Sequence, residues 1–122
     1  MREARETLVM GVLARADEPA LEGTLESLAV ATRLLVKEGI STRIVICVNG
    51  LDEQPRSPES GPAPAQRAAE AFERRMAAEA TESGSRVDGP IVEVLLEGLA
   101  DKARAWNRVR MGCEATWIGF CD

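Results

Sequence analysis

The sequence predicts an α/β fold: a three-layer open parallel sheet with helices on both faces. Three observations carry this. Apolar runs rich in β-branched residues alternate with segments of helical period, giving the order βαβαβαβ. Each pair of successive strands is separated by a helix, which demands parallel pairing and crossover connections. The chain has 122 residues and 45% apolar residues, enough for one domain with a real core.

The first strand is Thr7–Leu13 (TLVMGVL), a run expected to be buried on both faces. Asp17-Glu18-Pro19 then reads as a helix start, with acidic caps and a proline whose missing N–H costs nothing there. Leu21, Leu25, Leu28, Thr32 and Leu35 follow at steps of three and four, one apolar stripe on a helix that stops at Gly39. Arg43–Val48 (RIVICV) is the second strand, and Asn49-Gly50 ends it with a turn dipeptide. Residues 53–65 hold four of the six prolines and read as an extended loop. Ala65–Ser83 is a helix with a thin stripe of Ala69, Phe72, Met76 and Ala80, and residues 83–90 form a second loop. Ile91–Leu96 (IVEVLL) is the third strand. A third helix over 101–113 should seat Ala103, Trp106, Val109 and Cys113 on the sheet, with Asp101 near its start. Thr116–Cys121 is the fourth strand, followed by Asp122.

Composition removes whole classes of chemistry. There is no histidine and no tyrosine, so Ser-His-Asp and Cys-His nucleophiles and imidazole metal sites are out. A net charge of −5 argues against general binding to nucleic acid. Cys47, Cys113 and Cys121 show neither a CxxC pair nor zinc-ligand spacing; an odd number of thiols with no disulfide pattern fits a cytoplasmic protein. No apolar stretch approaches the roughly 20 residues of a membrane-spanning helix, and the N-terminal run is too short and too acidic for a secretory signal.

In open parallel sheets, ligands bind outside the carboxyl ends of the strands, near the point where strand order reverses. That rule selects residues 14–18, 49–53 and 97–102, and Asp122. No GxGxxG follows the first strand and no GxxxxGK[ST] occurs anywhere, so the common nucleotide loops are absent. A receiver-like fold would need a phosphorylatable Asp after the third strand, where the chain has Leu96-Glu97-Gly98. Asp122 is the most pointed residue, because a carboxylate ending a buried strand is poorly explained by packing.

Taken in order, VMGVLARADEP, RIVICVNGLDE and VEVLLEGLADKARAWNRVRMGCEATWIGFCD resemble the N-terminal, nucleotide-sugar-binding half of a family 2 glycosyltransferase of the GT-A fold. The resemblance implies a Rossmann-like sheet of order 3-2-1-4 and a nucleoside diphosphate sugar as donor. It places Asp17 and Glu18 at the base and ribose pocket, although either also suits a helix cap. It sets Asn49, Gly50 and Asp52 in the turn facing the nucleobase, where the plain alternative is an ordinary turn. Lys102 matches the lysine near the diphosphate, and Asn107 the asparagine of the same helix; a solvated helix face is the alternative for Lys102. Arg104, Arg108 and Arg110 read as solvent-facing charges. Asp122 would be the first acid of an Asp-x-Asp motif, contacting the ribose or a Mg²⁺ or Mn²⁺ ion.

The chain departs from the family at Ala14, Arg15 and Ala16, where a proline and an aromatic residue are common, and at Leu51, where serine is usual. The resemblance puts the second acid, the acceptor-binding half and the catalytic base beyond Asp122, so this chain alone is expected to bind nucleotide weakly and not to turn it over. Two other readings stay open: a nucleotidyltransferase-like α/β enzyme, and a noncatalytic domain pairing with itself or a partner chain through an open sheet edge.

Overall fold

The structure is a computed structural model that describes residues 7–53, 61–82, 91–99, 101–111 and 117–121. Its elements run β1 (Thr7–Arg15), α1 (Leu21–Lys37), β2 (Ser41–Asn49), α2 (Pro64–Glu82), β3 (Ile91–Leu96), α3 (Lys102–Met111) and β4 (Trp117–Cys121). The four strands form one parallel sheet ordered β3-β2-β1-β4. Three layers result, with α1 and α2 on one face and α3 on the other. The α/β class, the parallel pairing and the strand order are those expected from the sequence.

Alternation along β2 explains both cores. Ile44, Ile46 and Val48 pack with Leu21, Leu25 and Leu28 of α1 and with Ala69, Phe72 and Met76 of α2. Val45 and Cys47 point the other way, to Ala105 and Val109 of α3. Thr32 belongs in the α1 stripe because its buried hydroxyl donates to the Leu28 carbonyl at 2.8 Å. The helix ends as its sequence requires: Gly39 takes φ +86°, the Gly39 amide donates to Val36, and the Ile40 amide donates to Leu35.

Several boundaries differ from the sequence reading. The first helix begins at Leu21 with Ala20 as its cap, and neither Asp17 nor Glu18 caps it through the usual side-chain bond. The 53–65 segment is not loop throughout, since Leu51–Glu53 is a 3₁₀ turn and Pro64 and Ala65 already belong to α2. Pro64 sits at the first helical position, where proline is tolerated best. Residues 83–90 and Cys113 lie outside the described residues. The seat of α3 is also corrected: Ala105 and Val109 are buried, whereas Ala103 and Trp106 are exposed. The cause is non-local. The Phe120 ring lies over Gly11 of β1, so close that a Cβ at Gly11 would stand 2.7 Å from Phe120 Cε1. Trp106 stacks on that ring with centroids 4.8 Å apart, covering it from outside.

Candidate functional site at the carboxyl rim of the sheet

Parallel strands bring their carboxyl ends to one side of the molecule, and the register fixes which residues meet there. Arg15 pairs with Asn49, and Val48 with Leu96. Backbone bonds then tie the segments that follow. The Ala16 amide donates to the Asn49 carbonyl at 2.8 Å, and the Ala65 amide, in the first turn of α2, donates to the Ala16 carbonyl at 3.1 Å. Gly50, Leu51 and Asp52 donate in turn to the carbonyls of Leu99, Glu97 and Gly98. The loops after β1, β2 and β3 thus form one connected rim with α2 starting beside it.

Asn49 ends β2 and is only 5% exposed. Gly50 follows with φ +77°, a conformation that favours glycine and turns the chain toward β3. Asp52 is exposed, and its carboxylate is seated against Gly98: a Cβ at position 98 would meet Asp52 Cγ at 2.7 Å. Asp17 is exposed, with Arg15 Nε 3.9 Å from its Oδ1. Glu18 is half-buried and accepts the Ala20 amide at 3.1 Å, so it satisfies one free amide at the mouth of α1.

Lys102 opens α3, immediately after Asp101, whose Oδ1 accepts the Arg104 amide at 3.1 Å and caps the helix. Asn107 stands apart from this rim. It lies on the outer side of α3, away from buried Ala105 and Val109, and its Oδ1 accepts Arg110 Nη2 at 3.4 Å. Asp122 lies outside the described residues. The rim therefore gathers Asp17, Glu18, Asn49, Gly50 and Asp52, with Lys102 at the start of the helix that leaves β3.

Glu97, to which the sequence assigns no role, shapes this rim together with Arg104 and Arg108. Glu97 is the first residue after β3, and its side chain is 13% exposed between Arg104 Nε and Arg108 Nη1, each at 3.5 Å. Arg108 also donates to the Leu96 carbonyl. These arginines are therefore not simple solvent-facing charges; from the first and the last turn of α3 they clamp the helix to the end of β3. Arg110 lies over the Trp106 ring at 5.6 Å. The only advance signal for Glu97 was its place at a strand's carboxyl end beside Gly98, a glycine that the Asp52 carboxylate requires.

Among the described residues, no three His, Cys, Asp or Glu side chains converge as a metal-ligand group. The rim's oxygen donors are of the kind Mg²⁺ or Mn²⁺ takes, but Glu18 is already engaged with an amide and Glu97 with two guanidinium groups. Cys47 is fully buried under α3, and burial pushes its thiol pKa up; Arg108 offsets part of this and Glu97 adds to it. That environment disfavours the thiolate a nucleophile needs. Among the described residues no helix is long and apolar enough to cross a membrane. Compared with protein-family models, with curated proteins and with solved structures, the chain matches none.

Proposed function

We propose that the chain binds a nucleoside diphosphate sugar at its carboxyl rim, as a glycosyltransferase-like domain. In the complete reaction the anomeric bond to the diphosphate breaks and a new bond forms to an acceptor hydroxyl. The observation that carries this reading is the rim itself: at the strand ends of a 3-2-1-4 sheet, Asp52 is seated on Gly98 beside buried Asn49, one strand away from Asp17. A fixed carboxylate accepts hydrogen bonds from the N–H edge of a base, and the cation of Lys102 at the mouth of α3 suits a diphosphate. If a divalent ion takes part, its role is to neutralise charge growing on the leaving diphosphate, and Asp122 would hold it.

Titration calorimetry with UDP and with GDP, each with and without Mn²⁺, tests the reading. Binding is expected, and Asp52→Ala should weaken it about tenfold, the loss of one charge-assisted hydrogen bond. Gly98→Ala should do the same by displacing the Asp52 carboxylate while the fold persists by circular dichroism. Absence of heat with either nucleotide, with or without the metal, overturns the reading.

A further inference from the structure

The described residues leave two strand edges, and they differ in kind. β4 carries Gly119 at its centre. β3 is IVEVLL: five of its six residues are apolar, Ile91 is 56% and Leu96 40% exposed, and there is neither glycine nor proline within it. Its one charge, Glu93, is neutralised by Arg43 Nη2 of β2 at 2.6 Å. Edges are ordinarily blunted by charge, proline or a bulge, because outward-facing amides and carbonyls invite another strand. Within its length β3 has no proline and no bulge, its own charge is paired with Arg43, and a guanidinium, that of Arg108, reaches the carbonyl of its last residue, Leu96.

Which backbone groups face outward follows from the ladder. The Glu97 amide donates inward to the Val48 carbonyl at 2.8 Å. Alternate residues of a parallel strand bond to the same neighbour, so Ile91, Glu93 and Leu95 face β2 while Val92, Val94 and Leu96 present N–H and C=O to the outside. Side chains alternate too. Glu93 and Leu95 lie on the α3 face beside Val45 and Val109, and Val92 and Val94 pack into the α1/α2 core.

We propose that β3 pairs antiparallel with β3 of a second copy of this chain, about a two-fold axis through Val94 perpendicular to the sheet. Such an axis keeps each face continuous, so residues set opposite one another must share a face. Centring on Val94 satisfies this: Val94 meets Val94, Val92 meets Leu96, and Glu93 meets Leu95. All three outward residues are then used. Two hydrogen bonds join the Val94 pair and two join each of the two Val92–Leu96 pairs, six in all. The Leu96 carbonyl already accepts Arg108, and its second lone pair serves the Val92 amide. The competing register, centred on Glu93, sets two carboxylates directly opposite and leaves the outward groups of Leu96 unused. Charge and hydrogen bonding therefore select the same register, and what fits the edge is another copy of the same strand.

Sedimentation of the full chain from micromolar to millimolar concentration should show a monomer–dimer equilibrium. Amide exchange resolved by NMR should show Val94 protected in the dimer and losing about tenfold of that protection on dilution. The Glu97 amide, bonded to Val48, should stay protected in both states. Val94→Pro removes an outward N–H and no bond to β2, and should weaken dimerisation about tenfold or more. A monomer at every concentration overturns the proposal, and so does a dimer whose Val94 amide exchanges freely. A folded Val94→Pro that dimerises as well as the parent does the same. If that variant does not fold, the exchange of the parent chain decides alone.

Discussion

The two faces of the sheet are built differently. On the α1/α2 face, thirteen of the described residues form one buried cluster under helices of 17 and 19 residues. On the α3 face, the buried cluster holds six under a helix of ten. That face keeps Ile91, Ile118 and Trp106 substantially exposed, and a cavity of about 220 Å³ lies beside α3 between Val45, Leu95 and Arg108. One face supplies stability through long amphipathic stripes. The other rests on a few close fits and on the arginine clamp at Glu97. The difference teaches that stability and the candidate site are separable: the rim segments are tied to each other by backbone bonds, with few of their own side chains in either core.

That separation can be broken most directly from the α1/α2 side. Leu25 is fully buried between the sheet and α2, so Leu25→Ala should cost about 2–5 kcal/mol, read as a lower midpoint in denaturant. Gly11→Ala probes the other face. Its new Cβ would stand 2.7 Å from Phe120 and 3.0 Å from Val109, so the stacked Phe120–Trp106 pair must shift. The expected cost is about 1–3 kcal/mol, with a changed near-ultraviolet signal from Trp106. Phe120→Leu in the same chain should recover part of it, and a coupling energy near zero would show that the ring does not set the position of α3.

These two positions also mark how far the sequence could be read. Leu25 was legible because Leu21, Leu25, Leu28 and Thr32 repeat at helical spacing over a long segment, and a long repeat outweighs local exceptions. β3 was legible to its last residue because Ile91, Val92 and Val94 are β-branched and the apolar run, broken only by Glu93, is too short for a helix. The seat of α3 was not, since a ten-residue helix offers fewer than three turns of pattern and Trp106 looks like a core residue in any window. Its place depends on Gly11 and Phe120, which are distant in the chain and meet only through the β1–β4 pairing. The site divides the same way. Asn49, Gly50 and Asp52 could be picked out as a strand-end turn, but Glu97 becomes visible only when Arg104 and Arg108 close on it, and the placing of Asn107 on the outer side of α3 follows from which turns of that helix are buried.

Cys47 gives a subtler view of the α3 face. Its thiol pKa is raised by burial, so the folded state disfavours the thiolate. The stability this confers is fully present below the thiol's unfolded pKa and is lost as pH climbs through the alkaline range, because only the unfolded chain ionises freely there. Unfolding free energy should therefore fall with rising pH above about 8.5, and Cys47→Ala should flatten that slope. An unchanged slope would mean that the α3 face admits water to Cys47.

The smallest effect belongs to the ion pairs on the well-packed side. Arg33 reaches Glu79 at 2.9 Å and Arg75 reaches Glu26 at 2.5 Å, joining α1 to α2 across the surface. Both pairs are about half exposed, so water and salt screen them. Arg33→Ala should cost only about 0–1 kcal/mol, and the cost should shrink further at high salt. The Arg33 guanidinium also lies 3.8 Å from the Met76 sulfur, so a loss that survives high salt would come from that contact rather than from the ion pair. A salt-insensitive loss above 2 kcal/mol would mean that the α1–α2 seam depends on this arginine more than on the buried stripe beneath it. The contrast between the two faces would then have to be redrawn around surface contacts.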